Sequence, residues 1–122
     1  MNNISDNGHT LAAIDLGSNS FHMIVARVAH GEMRPIERFG ERVQLAAGMK
    51  SNRLAEDAIE RGLNCLARFR QVIEKLQPSA VRIVGTNALR AAKNAKAFIK
   101  PAEALIGFPI EVISGREEAR LV

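Results

Sequence analysis

A chain of 122 residues is long enough for one domain with its own core, and 47% hydrophobic with 25% charged residues is the make-up of an ordinary globular protein. Five phenylalanines and no tryptophan or tyrosine leave little surface on which nucleic-acid bases could stack, so specific nucleic-acid binding is not expected. The net charge of +4 fits an anionic partner, but the basic residues are dispersed, which is equally the pattern of a mixed solvated surface.

The lone cysteine, Cys65, rules out an internal disulfide and falls in an apolar helical pattern, where a buried, inert thiol is expected. No apolar run approaches the roughly 20 residues that a membrane span needs. The polar start MNNISDNGHT lacks the order of a signal peptide. A cytoplasmic protein is the expectation.

In chain order, residues 1–10 are expected to be disordered, and the domain to occupy residues 11–122. LAAID is a short apolar run suited to a buried strand. GSNS reads as a hairpin turn, and FHMIVARVA as the strand that returns from it. HGEM supplies a second turn. RPIERFGERVQLA then reads as a third strand, with Pro35 placing an edge or a bulge at its start.

From Ser51 the period changes. Leu54, Ala58, Ile59, Gly62, Leu63, Leu66, Phe69, Ile73 and Leu76 recur at three- and four-residue steps, predicting an amphipathic helix of about six to seven turns. VRIVG is a buried strand. TNALRAAKN opens a helix with Thr86 at its N-cap. AKAFIKPAEALIG is helical, with a kink or break at Pro101. FPIEVI is a last strand, and SGREEARLV begins a helix that continues past Val122, as in a piece of a longer protein. Three strands in succession followed by alternating helices and strands predict an antiparallel meander extended by parallel crossovers.

Three places carry chemistry. Asp15 closes an apolar strand, where a charged carboxylate is costly without a partner. The turn beside it offers backbone N–H groups, the freedom of Gly17, the amide of Asn19 and the hydroxyls of Ser18 and Ser20. That combination suits a phosphate with its divalent cation, and it also suits a plain hairpin. GTNALR joins a strand to a helix start, and Arg90 lies one turn in, either as a phosphate donor or as an exposed helical arginine. In ISGREEAR, Ser114 and Glu117 have capping-box spacing. Glu118 is left over, either to favour the helix dipole or to accept a proton from an attacking water. His9, His22 and His30 have no metal-ligand spacing, and there is no Walker-type loop, C-x-x-C pair or nucleophile elbow.

Taken together, AAIDLGSNSFHMIVARV, RVQLAAGM, RGLNCLARF, RIVGTNALRAAKNAKAFI and PIEVISGREEARLV resemble the exopolyphosphatase / guanosine pentaphosphate phosphatase family from about Leu11 to Val122. The resemblance implies an α/β fold of the ribonuclease-H-like, actin-like ATPase type. It also implies Mg2+-dependent removal of terminal phosphates. By position, Gly17, Ser18, Asn19, Ser20 and Arg90 take phosphate-binding roles, Asp15 helps hold Mg2+, and Glu118 is the general base. The family carries a second glycine-rich phosphate hairpin that this chain does not reach, so these residues are expected to form half of a split site and to be inactive alone.

Inorganic polyphosphate is the expected substrate. The alternatives are guanosine pentaphosphate and a non-catalytic module that binds polyphosphate or nucleotide. A sugar kinase or ATPase of the same superfamily fits less well, because nothing marks a sugar site. A homodimer of the complete protein is expected from the resemblance.

Overall fold

The computed structural model describes residues 8–114. Strand β1 (His9–Leu16) turns through Gly17–Ser20 into β2 (Phe21–Ala29), and β2 turns into β3 (Glu32–Glu41). A long loop leads to helix α1 (Glu56–Leu76), then β4 (Ala80–Gly85), the short helix α2 (Asn87–Ala91), α3 (Lys96–Ile106) and β5 (Ile110–Val112).

The five strands form one sheet in the order β3-β2-β1-β4-β5. β1, β2 and β3 pair antiparallel, and β4 and β5 join parallel, so the predicted meander and crossovers are both present. β1 begins at His9, two residues before the expected domain start, because His9 and Thr10 pair with Val28 and Arg27. The register between β2 and β3 shifts at Val25/Ala26, where Pro35 is reached. Proline cannot donate to the ladder, and it stands here at an irregularity on an edge strand.

Alternation along each strand sends one set of side chains into the core. Ala12, Ile14 and Leu16 of β1, Phe21, Met23 and Val25 of β2 and Ile83 of β4 are buried against α1 and α3. The helices answer with Ala58, Cys65, Leu66, Phe69 and Ile73 from α1, and Phe98, Ala102 and Ile106 from α3. On the opposite face Ala13, Asp15, His22, Ile24, Arg82 and Glu111 are exposed. Asp15 is therefore not buried: the period that hides Ile14 and Leu16 carries it to the open side.

Several local expectations change, among them the third strand, which ends at Glu41 rather than Ala46, and the helix of TNALRAAKN, which ends at Ala91. α1 starts at Glu56 rather than Ser51, and spans 21 residues, about six turns. Leu54 belongs to the apolar period but is buried from the preceding loop, where Ser51 and Asn52 take left-handed backbone angles that no helix allows. Pro101 does not break α3, which runs from Lys96 to Ile106. The ring removes one hydrogen bond, and burial of Phe98, Ala102 and Ile106 on both sides of it offsets that loss. The helix expected after β5 lies outside the described residues. Among the described residues, no helix is long and apolar enough to cross a membrane.

Candidate active site

Among the described residues, the candidates Asp15, Gly17 to Ser20 and Arg90 lie on the elements at the C-terminal ends of β1 and β4, which is where open α/β sheets place their ligands. Leu16 pairs with Phe21 on one side and Gly85 on the other, so the 17–20 turn and the start of α2 leave the sheet as neighbours. The turn is closed by the N–H of Gly17 donating to the Ser20 carbonyl at 3.1 Å. A Cβ at position 17 would stand 3.0 Å from that oxygen, which explains the glycine.

The outer side of the turn is fixed by the loop after β3. The Gln44 N–H donates to the Asn19 carbonyl at 2.8 Å, and the Ala46 N–H to the Ser18 carbonyl at 3.1 Å. Every peptide bond described is trans. In a trans peptide the carbonyl and the following N–H point in opposite directions. Binding the carbonyls of Ser18 and Asn19 on the loop side therefore aims the N–H groups of Asn19 and Ser20 to the other side. Two adjacent donors aimed to one side, next to a strand that carries a carboxylate, are groups of the kind that bind anions.

Ser18 has a further role that local sequence patterns do not reveal. Its Oγ accepts the Ala88 N–H at 3.1 Å across 70 residues of sequence, serving one of the first donors of α2. Thr86 holds the N-cap position as expected but makes no side-chain cap bond, and it is buried. The 17–20 turn and the GTNALR junction are thus tied into one unit.

Asp15 is the next-to-last residue of β1 and stands between His22 and Val84 in the pairing register. Arg90 is exposed, and its guanidinium donates to the Ile113 carbonyl at 2.6 Å and to the Asn87 side chain. α2 is thereby fastened to the chain leaving β5. Glu118 lies outside the described residues. Among the described residues, no three His, Cys, Asp or Glu side chains come together as a ready metal cage. Mg2+ commonly takes one or two carboxylates and completes its shell with water and substrate phosphates, so one exposed carboxylate next to such donors fits that ion.

Away from the site, burial and the nearby Glu41 carboxylate push the Cys65 thiol up to about 12. The Arg68 guanidinium holds Glu41 below the usual carboxylate range through two hydrogen bonds of 2.7 and 2.6 Å. An inert thiol follows, in agreement with the sequence reading. The shift from 9.0 to about 12 lowers the thiolate fraction roughly a thousandfold at neutral pH. Alkylation of native protein at pH 8 is expected to be slow and to become rapid once denaturant is added. Fast labelling of the native chain would contradict the described burial.

The fold defines a ribonuclease-H-like, actin-like ATPase domain, with the 17–20 turn at the C-terminal edge of its sheet. Comparison with known proteins carries this to a family. The family model described as the Ppx/GppA phosphatase family matches residues 24–122, and the chain belongs to that family. Its structure superposes on the Ppx/GppA family member of Aquifex aeolicus with a TM-score of 0.88 at 31% identity, covering 93% of this chain and 37% of that one. An exopolyphosphatase-like protein matches with a TM-score of 0.88 at 34% identity, over 93% and 35% of the two chains. An exopolyphosphatase from Cytophaga hutchinsonii matches with a TM-score of 0.89 at 26% identity, over 93% and 36%. The chain spans a little over a third of the length of each of these proteins.

Proposed function

We propose that the complete protein is an exopolyphosphatase that releases orthophosphate from the ends of inorganic polyphosphate. The observation that carries this reading is the turn after β1, whose Ser18 and Asn19 carbonyls are held by Ala46 and Gln44 so that two N–H groups face outward beside Asp15. Membership of a phosphatase family and similarity to two proteins bearing the exopolyphosphatase name support it.

In this reading the terminal phosphate rests on the N–H groups of Asn19 and Ser20. The Ser18 hydroxyl accepts from Ala88 and still has its own proton to donate. Arg90, anchored by Ile113 and Asn87, adds positive charge from the neighbouring junction. Mg2+, held by Asp15 directly or through water, would neutralise charge on the phosphate oxygens. Glu118 accepts a proton from the attacking water. The water oxygen bonds to the terminal phosphorus, the bridging P–O bond breaks, and the shortened chain leaves with the bridging oxygen. The second phosphate hairpin implied by the sequence resemblance would grip the rest of the polyanion.

The deciding experiment is phosphate release by the complete protein, with long-chain polyphosphate and guanosine pentaphosphate assayed in parallel. Faster turnover of polyphosphate is expected. A preference for guanosine pentaphosphate would move the protein to that branch of the family, and binding without turnover of either would make it a binding module. A companion measurement addresses the cation. Asp15→Asn is expected to raise the Mg2+ concentration for half-maximal rate at least about tenfold. An unchanged Mg2+ dependence would remove Asp15 from the metal site.

A further inference from the structure

The phosphate chemistry uses two backbone N–H groups of RVQLAAGM and leaves RGLNCLARF without a part. In the structure the two motifs touch. Arg61, on the second turn of α1, donates from Nε to the Val43 carbonyl at 2.8 Å and from Nη2 to the Gln44 carbonyl at 2.9 Å. Its Nη1 is paired with Asp57 at 3.1 Å, one turn back on the same helix. One planar guanidinium therefore holds two consecutive carbonyls while its own orientation is set by a carboxylate.

The residue it holds is under strain. Gln44 has φ 55, a left-handed angle that costs a non-glycine residue of order 1 kcal/mol or more. Such an angle persists only where neighbours over-determine it. Gln44 is held from both ends: its N–H is given to the Asn19 carbonyl, and its own carbonyl accepts from Arg61 and, at 3.1 Å, from the Ala47 N–H. The chain of contacts runs from Arg61 to Val43 and Gln44, and from Gln44 and Ala46 to the carbonyls of Asn19 and Ser18. Those carbonyls set the direction of the N–H pair in the phosphate turn.

We propose that Arg61 is a positioning residue for the phosphate turn: its fork locks the 43–46 segment in the strained form that aims the N–H groups of Asn19 and Ser20 at a bound phosphate. The proposal rests on the phosphate reading of that turn. Lysine at position 61 keeps the charge and the pairing with Asp57, but it is a single point donor and cannot span two carbonyls in one plane. Arg70, on the same helix, serves as a control. It donates to the Leu105 carbonyl at 2.9 Å and pairs with Glu74, without any link to the turn.

The test is a titration of the full 122-residue chain, labelled with nitrogen-15, with tripolyphosphate. The amide signals of Asn19 and Ser20 are followed, and the melting temperature of each variant is recorded. In the wild type both amides are expected to shift saturably. Arg61→Lys and Arg61→Gln are expected to weaken the fitted Kd at least fivefold. Arg70→Gln is expected to leave it within twofold even where its melting temperature falls as far. Arg61 variants with wild-type Kd, or Kd values that track melting temperature across all variants including Arg70→Gln, would overturn the proposal. So would Arg61→Lys that no longer folds, because Arg61 would then support the whole domain rather than the turn. Wild-type amides that ignore tripolyphosphate would remove the phosphate reading itself, and the role of Arg61 with it.

Discussion

If the proposed exopolyphosphatase reading holds, replacing Glu118 by glutamine is expected to slow phosphate release by the complete protein about 10²–10⁴-fold, the range for loss of a general base. In SGREEAR, Ser114 and Glu117 have the spacing of a capping box, which accounts for the first glutamate, and Glu118 is the acid that this pattern leaves over. In the proposed reading Glu118 faces a polyanion, where a carboxylate opposes binding, so its use there is as the proton acceptor of the attacking water. Glutamine keeps the shape and removes the negative charge. The expected signature is therefore a fall in kcat with KM for polyphosphate unchanged or lower, and loss of the acid limb of the pH–rate profile. Steady-state rates across pH, with Mg2+ saturating, check all three. A variant that retains its rate would place the base elsewhere.

The elements that local pattern determines were legible in the sequence. Short apolar runs mark β1 and β2, Pro35 marks the irregular edge strand, and the three- and four-residue period marks α1. Family resemblance named the turn at 17–20, and the structure adds how that turn is oriented. What was not legible depends on contacts between distant residues. The Ser18 hydroxyl serves a helix 70 residues away, so Thr86, with the better local cap signature, makes no side-chain cap bond. Leu54 reads as helical because it is buried, but tertiary contacts of the loop bury it: the Asn94 side chain accepts its N–H at 2.7 Å and donates to its carbonyl at 3.2 Å. The left-handed angles of Gln44, Ser51 and Asn52 give no glycine signal. Arg61 lay in a recognised motif, yet its target carbonyls are 17 and 18 residues earlier, and backbone carbonyls leave no trace in side-chain pattern.

The largest effects on stability are expected where α1 and α3 meet the strand leaving the phosphate turn. Phe98 of α3 is fully buried, and its ring lies 6.0 Å from that of Phe21, tilted by 58°. Phe21 is the first residue after the turn. Phe98→Ala deletes a ring that the closely packed surroundings cannot replace, at a cost of about 3–5 kcal/mol. Gly62 of α1 faces the same pair: a Cβ there would stand 2.7 Å from Phe98 Cε1 and 3.3 Å from Phe21 Cε2. Alanine in the middle of a helix ordinarily gains about 1 kcal/mol over glycine. Here overpacking reverses the sign, and Gly62→Ala is expected to destabilise by about 1–3 kcal/mol. The two changes share one space, so they should not add. In the Phe98→Ala background the methyl of Gly62→Ala meets a cavity instead of a ring, and the helix preference returns. The double variant should therefore be no less stable than Phe98→Ala alone. Urea unfolding of the wild type, both single variants and the double variant measures this coupling. Strictly additive losses would mean that Gly62 is small for a reason other than the Phe98 ring.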